Sequence, residues 1–189
     1  MAKKIMRTLN DQNLVNGSTD FEIMSPCAED GTNVNDLISK CQPLDENSVY
    51  CNLLQCTHFS STSAIVKSGD EVLGFVSGYI VPEDPTRLFI WQVAVDEAAR
   101  GHGLAKKMIF DILSRDICGD VEELHTTITQ SNSASQALFS SIADNLGTDA
   151  KSEVVFDKHE HLDGSHESEH LWIIGPFDNS ADDLLRDAA

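Results

Sequence analysis

The run Leu88-Phe89-Ile90-Trp91-Gln92-Val93-Ala94-Val95, followed closely by Arg100-Gly101-His102-Gly103-Leu104-Ala105, constrains the fold of this chain more than any other feature. An apolar stretch of that length bounded by turn residues reads as a buried strand. After the loop, Leu104, Met108, Ile109, Ile112 and Leu113 recur at helical spacing, with Lys106, Lys107 and Asp111 on the other side. Glycines just before a helix N-terminus let the backbone approach a ligand closely and turn several N–H groups the same way. A strand, a glycine loop and a helix in that order form a holder for phosphate oxygens, and they demand an α/β architecture.

The remaining segments supply the partners of that unit. Phe21 to Met24 reads as a short first strand, and Glu29 to Thr32 as the start of a helix carrying Val34, Leu37, Ile38 and Cys41, stopped by Pro43. A second helix fits Ser48 to Phe59 with Val49, Leu53, Cys56 and Leu54 inward. Thr62 to Lys67 and Glu71 to Val81, joined by Ser68-Gly69-Asp70, read as a hairpin. Glu123 to Thr129 is the next strand, followed by a helix over Asn132 to Leu146 with Ala134, Leu138 and Ile142 inward, and by two final strands around Val154-Val155-Phe156 and His170 to Ile174. Early strands, a central strand–loop–helix and a last strand pair imply a mixed, mostly antiparallel sheet with helices on both faces.

A chain of 189 residues suits one domain, expected over 20–177, with a mobile extension over 1–19 and an acidic tail over 178–189. No apolar run approaches the roughly 20 residues needed to span a bilayer, and the first residues lack the apolar core of a secretory signal, so a soluble cytoplasmic protein is expected. The net charge of −18, from 31 acidic and 13 basic residues, argues against nucleic-acid or anionic-membrane binding. It would draw in a cationic substrate or simply keep the chain soluble in a saline cell. The five cysteines, Cys27, Cys41, Cys51, Cys56 and Cys118, form no C-x-x-C pair and read as reduced, mostly buried thiols. The glycine pair lacks the third glycine and distant acid of a dinucleotide site, and no P-loop pattern occurs.

The positions Arg100, Gly103 and Ala105 resemble the Arg/Gln-x-x-Gly-x-Gly/Ala element of the GCN5-related N-acetyltransferase superfamily, which wraps the pyrophosphate of acetyl-coenzyme A. Further segments narrow the resemblance. They are Pro43-Leu44-Asp45-x-Asn47-Ser48-x-Tyr50-Cys51-Asn52-Leu53-Leu54-x-Cys56, Val76-Ser77-Gly78-Tyr79, Thr126-Thr127-Ile128-Thr129-x-x-Asn132-x-Ala134-Ser135 and Gly164-x-His166-Glu167-x-Glu169. With the Trp91 strand they are similar to the L-2,4-diaminobutyrate N-acetyltransferase family of ectoine biosynthesis. The similarity runs over about residues 20 to 177. It implies the acetyltransferase fold, acetyl-coenzyme A as cosubstrate, a small diamine as acceptor and a homodimer. It also implies that main-chain groups of Val93, Ala94 and Val95 align the pantetheine arm, and that Arg100, Gly101, His102, Gly103, Leu104 and Ala105 hold the diphosphate. Asn132 is placed like the family asparagine that contacts the cofactor, or is a helix cap. Where many relatives carry a proton-donating tyrosine, this chain has Phe139. The general acid is then Ser135, Tyr50 or a water, unless the thiolate leaves unassisted.

The chemistry needs a base. An alkylammonium has a pKa of about 10.4, so freeing the amine at neutral pH costs roughly 4–5 kcal/mol. A carboxylate or imidazole in reach serves as acceptor. The expected pair is Glu169 as substrate ligand and base, with His166 as partner or relay; otherwise this segment is a solvated acidic loop. Asp45, Tyr50 and Trp91 are expected around the amine, with Thr86 at the mouth and Arg87 near the substrate carboxylate. The histidines His159, His161, His166 and His170 do not form a clear ligand set, and no metal is expected. No cysteine has an evident base partner, so direct attack in a ternary complex is expected rather than an acyl-enzyme. The competing functions are acetylation of another small amine or polyamine, and a non-catalytic module that binds acetyl-coenzyme A.

Overall fold

A computed structural model describes residues 21–42 and 44–178. Among them the apolar runs become β1 (Glu22–Met24), β2 (Ala64–Ser68), β3 (Glu71–Ile80), β4 (Arg87–Val95), β5 (Glu123–Thr129), β6 (Ala150–Phe156) and β7 (Glu169–Ile174). The helices are α1 (Gly31–Lys40), α2 (Val49–Thr57), α3 (Leu104–Leu113) and α4 (Ser133–Asn145). The expectations for the extension 1–19, for nearly all of the tail 178–189 and for Pro43 as a helix stop lie outside the described residues.

The strands form one sheet in the order β1-β2-β3-β4-β5-β7-β6. Neighbours run antiparallel except β4 and β5, which are parallel because α3 crosses between them. On one face, Leu104, Met108, Ile109, Ile112 and Leu113 of α3 pack with Phe139 and Ile142 of α4 against Val66, Val76, Leu88, Ile90 and Leu124. On the other, Val34, Leu37 and Ile38 of α1 and Cys56 of α2 cover Ile65, Phe75 and Ala94. Each fully buried Ile, Leu or Phe contributes about 1.5–3 kcal/mol of apolar transfer, so both layers are held by the same force. The expected mixed sheet with helices on both faces is what forms.

Two helices are turned relative to their expected faces. In α2 the buried side chains are Asn52, Gln55 and Cys56, while Val49 is 43% exposed. Hydrogen bonding explains it, because the Asn52 Nδ2 donates to Gln55 Oε1 at 2.9 Å and its Oδ1 accepts from Asn35 Nδ2 at 2.8 Å. Asn52, satisfied in this way, is buried without the usual penalty, while Gln55 is buried with its Oε1 paired and its Nε2 without a partner among the described residues. In α4 the buried stripe is Phe139, Ile142 and Ala143, with Ala134 exposed, since Phe139 offers far more apolar surface than Ala134. The β2 strand starts at Ala64 rather than at Thr62. Thr62 closes a short 3-10 turn instead, and its hydroxyl donates to the Gly78 carbonyl at 2.7 Å.

The β4 strand is less uniformly buried than its composition predicts. Its register against β3 steps from Ser77↔Gln92 to Gly78↔Ile90, leaving Trp91 as the extra residue of a β-bulge. Ile90 and Ala94 are four residues apart, a spacing that in a regular strand puts both on one face, yet they belong to opposite cores. The bulge reverses the alternation and re-aims the side chains beside it. Trp91 emerges 48% exposed.

Candidate active site

The ladder between β4 and β5 ends at Ile90↔Thr126, although β4 runs on to Val95 and β5 to Thr129. From Trp91 onward the edge of β4 that would face β5 has no strand partner among the described residues, which leaves main-chain groups of the Val93-Ala94-Val95 segment unpaired by a neighbouring strand there. The chain after β4 turns through residues 97–99 into the glycine loop. There Gly101 and Gly103 have φ of +85° and +69°, a region that costs other residues roughly 1–2 kcal/mol. Among the described residues, a Cβ at either glycine would meet nothing within 4 Å. Gly103 occupies the N-cap of α3, whose first N–H groups point outward without intrahelical partners. Arg100 is exposed and its Nε donates to the Val95 carbonyl at 3.3 Å; His102 is exposed and packs against Phe21 with centroids 5.1 Å apart and ring planes tilted by 60°. Leu104 is buried under the loop and Ala105 half-buried. This cradle of amides beside a free strand edge fits a diphosphate followed by an amide-bearing arm.

Asn132 follows β5 at the same end of the sheet. Its Oδ1 accepts from the Ser135 N–H at 3.0 Å, so it caps α4. Ser135 is half-buried on the first turn, and Phe139 one turn on is 2% exposed within the core.

The substrate side of the fork is built from three elements. Glu169 opens β7 opposite Thr129 of β5. Burial pushes its carboxyl above the ordinary carboxylate value; the Thr127 hydroxyl pulls it back, Asp45 and Glu167 add to the rise, and His170 opposes it. The coupling to Asp45 puts the α1–α2 connection within electrostatic reach of Glu169. That connection is fastened to β4, because Gln92 Nε2 donates to the Asp45 carbonyl at 3.1 Å. Asp45 and Tyr50 present exposed side chains, Tyr50 at 70%, and Trp91 stands beside Gln92. Two carboxylates, Asp45 and Glu169, thus lie within electrostatic range of each other, a setting that suits an alkylammonium.

The other expected residues are placed elsewhere. His166 is exposed in the loop before β7, and among the described residues it makes no hydrogen bond or ion pair with Glu169. Thr86 lies at the N-terminal end of β4, away from the fork, where its hydroxyl donates to Asp84 Oδ1 at 2.7 Å. Arg87 does not face the fork either, since its Nε pairs with Glu123 at 2.9 Å and Asp84 at 3.1 Å. That correction has a simple cause: two acids flank it at the sheet's opposite end. Sequence reasoning did not single out Gln92, Thr127 or the asparagines at 35, 47 and 52. All but Asn35 fall within the family-like segments, but none is given a role there, because the local signal is only a polar residue inside an apolar strand and amides spread over α1, the following connection and α2.

Among the described residues, no three His, Cys, Asp or Glu side chains are grouped to hold a metal ion. Cys41, Cys56 and Cys118 are buried, Cys51 half-buried and Cys27 exposed. Burial pushes the Cys56 thiol up to about 12 and the Cys118 thiol up to about 11. Neither is a thiolate nucleophile at neutral pH.

Residues 32–142 match the Acetyltransferase (GNAT) family. The chain is 53% identical over 155 residues to the L-2,4-diaminobutyric acid acetyltransferase of Methylotuvimicrobium alcaliphilum, covering 82% of this chain and 90% of that protein. It is 43% identical over 149 residues to the enzyme of the same name from Vibrio cholerae, covering 79% and 86% of the two chains. Its structure superposes with a TM-score of 0.81 and 36% identity on diaminobutyrate acetyltransferase EctA from Paenibacillus lautus, solved with L-2,4-diaminobutyric acid and coenzyme A, over 85% of this chain and 97% of that one. With the glycine cradle, the strand fork and these similarities in hand, the chain belongs to the GNAT acetyltransferases, and within them to the L-2,4-diaminobutyric acid acetyltransferase family.

Proposed function

We propose that this enzyme transfers the acetyl group of acetyl-coenzyme A to the γ-amine of L-2,4-diaminobutyrate, giving N4-acetyl-2,4-diaminobutyrate, a step of ectoine biosynthesis. The observation that supports the reading is the fork itself: a strand edge left open beside a glycine loop with left-handed backbone, and Asp45 within electrostatic range of Glu169. Residues 100–105 hold the diphosphate, main-chain groups at 93–95 align the pantetheine arm, and Asn132 flanks the cofactor while capping α4. Asp45, Tyr50 and Trp91 receive the diamine, and His166, exposed in the loop before β7, exchanges the proton of Glu169 with solvent through water; Thr86, at the far end of β4, takes no part.

Glu169 accepts the proton that the ammonium must lose. Its raised affinity for protons, caused by burial, makes it a better base than a solvated carboxylate. The freed nitrogen attacks the thioester carbonyl, N–H groups of β4 stabilise the oxyanion, the C–S bond breaks to release the thiolate, and the nitrogen gives its second proton to that thiolate or to water as the amide forms. A thiolate with a pKa of about 8.5 departs without help from Phe139. The reading includes a homodimer working in the cytoplasm; no helix among the described residues is long and apolar enough to cross a membrane.

The test is release of free thiol from acetyl-coenzyme A. L-2,4-Diaminobutyrate is expected to be turned over far faster than spermidine, lysine or ornithine, and equal rates would replace this reading with a general amine acetyltransferase. Calorimetry that detects no binding of coenzyme A would overturn it altogether.

A further inference from the structure

We propose that Gln92 is a positioning residue for the amine substrate, acting as a clamp that holds the Asp45 loop in register with Trp91. This rests on the reading of Asp45 as a substrate ligand. Gln92 is 9% exposed, and both ends of its amide are used on that loop. Its Nε2 donates to the Asp45 carbonyl at 3.1 Å and its Oε1 accepts from Asn47 Nδ2 at 2.8 Å. The loop is fastened a second time from its other side, where Asn35 Nδ2 of α1 donates to the Asn47 carbonyl and to Asn52 Oδ1, both at 2.8 Å. Asn52 in turn donates to Gln55. A chain of amides therefore runs from β4 through the loop into α1 and α2.

The bulge explains why the strand residue can do this. Without it, Gln92 would alternate onto the face of α3 and could not reach Asn47. One backbone irregularity thus brings out Trp91 and aims its neighbour at the loop bearing Asp45, so that the two walls of the amine site are set by adjacent residues. A glutamine whose donor and acceptor are both committed fixes loop height and loop rotation together. An apolar residue of equal size would fill the same space and fix neither.

The test uses the full chain with Gln92→Leu, which keeps side-chain volume, and Asn47→Ala, which removes one of the two clamp bonds and decides the matter where the first variant folds poorly. Loss of a buried hydrogen bond predicts a KM for the diamine raised about tenfold, with the KM for acetyl-coenzyme A within about twofold of wild type. Amide exchange over residues 44–52 is expected to quicken while residues 104–113 stay protected. In an Asp45→Ala background the Gln92→Leu change is expected to raise the diamine KM by no more than about twofold, because the clamp then holds nothing the substrate touches. Additive losses, equal rises in both KM values, or a diamine KM unmoved by Asp45→Ala each overturn the proposal. Unchanged exchange over 44–52 overturns it whatever the substrate is, whereas a wild-type chain that never acetylates the diamine overturns the functional reading and leaves the clamp to be judged by exchange.

Discussion

Glu169 carries opposing demands. Burial lifts its pKa, so in the folded state it holds its proton at pH values where an unfolded glutamate has lost it. Folding stability from this group is therefore present below the ordinary glutamate pKa and declines as pH rises through the folded value. Glu169→Gln is expected to raise the melting temperature at neutral pH, to leave coenzyme A binding by calorimetry unchanged, and to lower kcat by about 100-fold or more. The acid limb of kcat/KM should fall at a pH above that of a solvated carboxylate and vanish in the variant. The cysteines make the complementary case: with burial raising Cys56 to about 12 and Cys118 to about 11, both should resist iodoacetamide in the native protein. Acetyl-coenzyme A alone should leave no acetyl group on the chain by intact mass.

At the scale of elements, two glycines are irreplaceable for different reasons. Gly103 sits at φ +69° with open space where a side chain would go, so Gly103→Val is expected to fold with a cost of about 1–2 kcal/mol and to lose coenzyme A binding. Gly78 sits at the bulge, where a Cβ would stand 2.8 Å from the Phe89 carbonyl and 3.1 Å from that of Thr62. Both neighbours are backbone, so Gly78→Ala should lower stability by about 1–3 kcal/mol in chemical denaturation. The contrast shows what sequence makes legible. The β4–loop–α3 unit was readable because its apolar period and its glycines act locally. Glu169 and Asp45 came from motif resemblance, and the structure sets them within electrostatic range of one another. The bulge was not readable, because an extra residue in a strand is defined by its partner's register. The inward turn of Asn52 and Gln55 was hidden for a related reason: their partners lie on α1, and hydropathy along α2 alone favours Val49. Arg87 looked free for a carboxylate because its shorter ion pair is with Glu123, distant in sequence across the sheet, although Asp84 three residues before it also pairs with it.

For the whole molecule the excess of 31 acidic over 13 basic residues is a self-repulsion spread over the surface. Raising NaCl from low concentration to about 1 M shrinks the Debye length to roughly 3 Å. The melting temperature is expected to rise along that series, and a fall would mean that attractive ion pairs such as Arg87 with Glu123 outweigh the repulsion. The join between the two halves of the sheet sets another property. Four rungs, from Arg87↔Glu123 to Ile90↔Thr126, are the whole ladder across it, with Lys106 reaching Asn145 as a strut between the helices above. A sheet seamed by four rungs there can give along that line, and on the function proposed above the cosubstrate lodged in the gap is a splint that carries load from one half to the other. On that reading the cosubstrate is part of the skeleton of the enzyme while it is bound, and departure of coenzyme A restores the give in the seam.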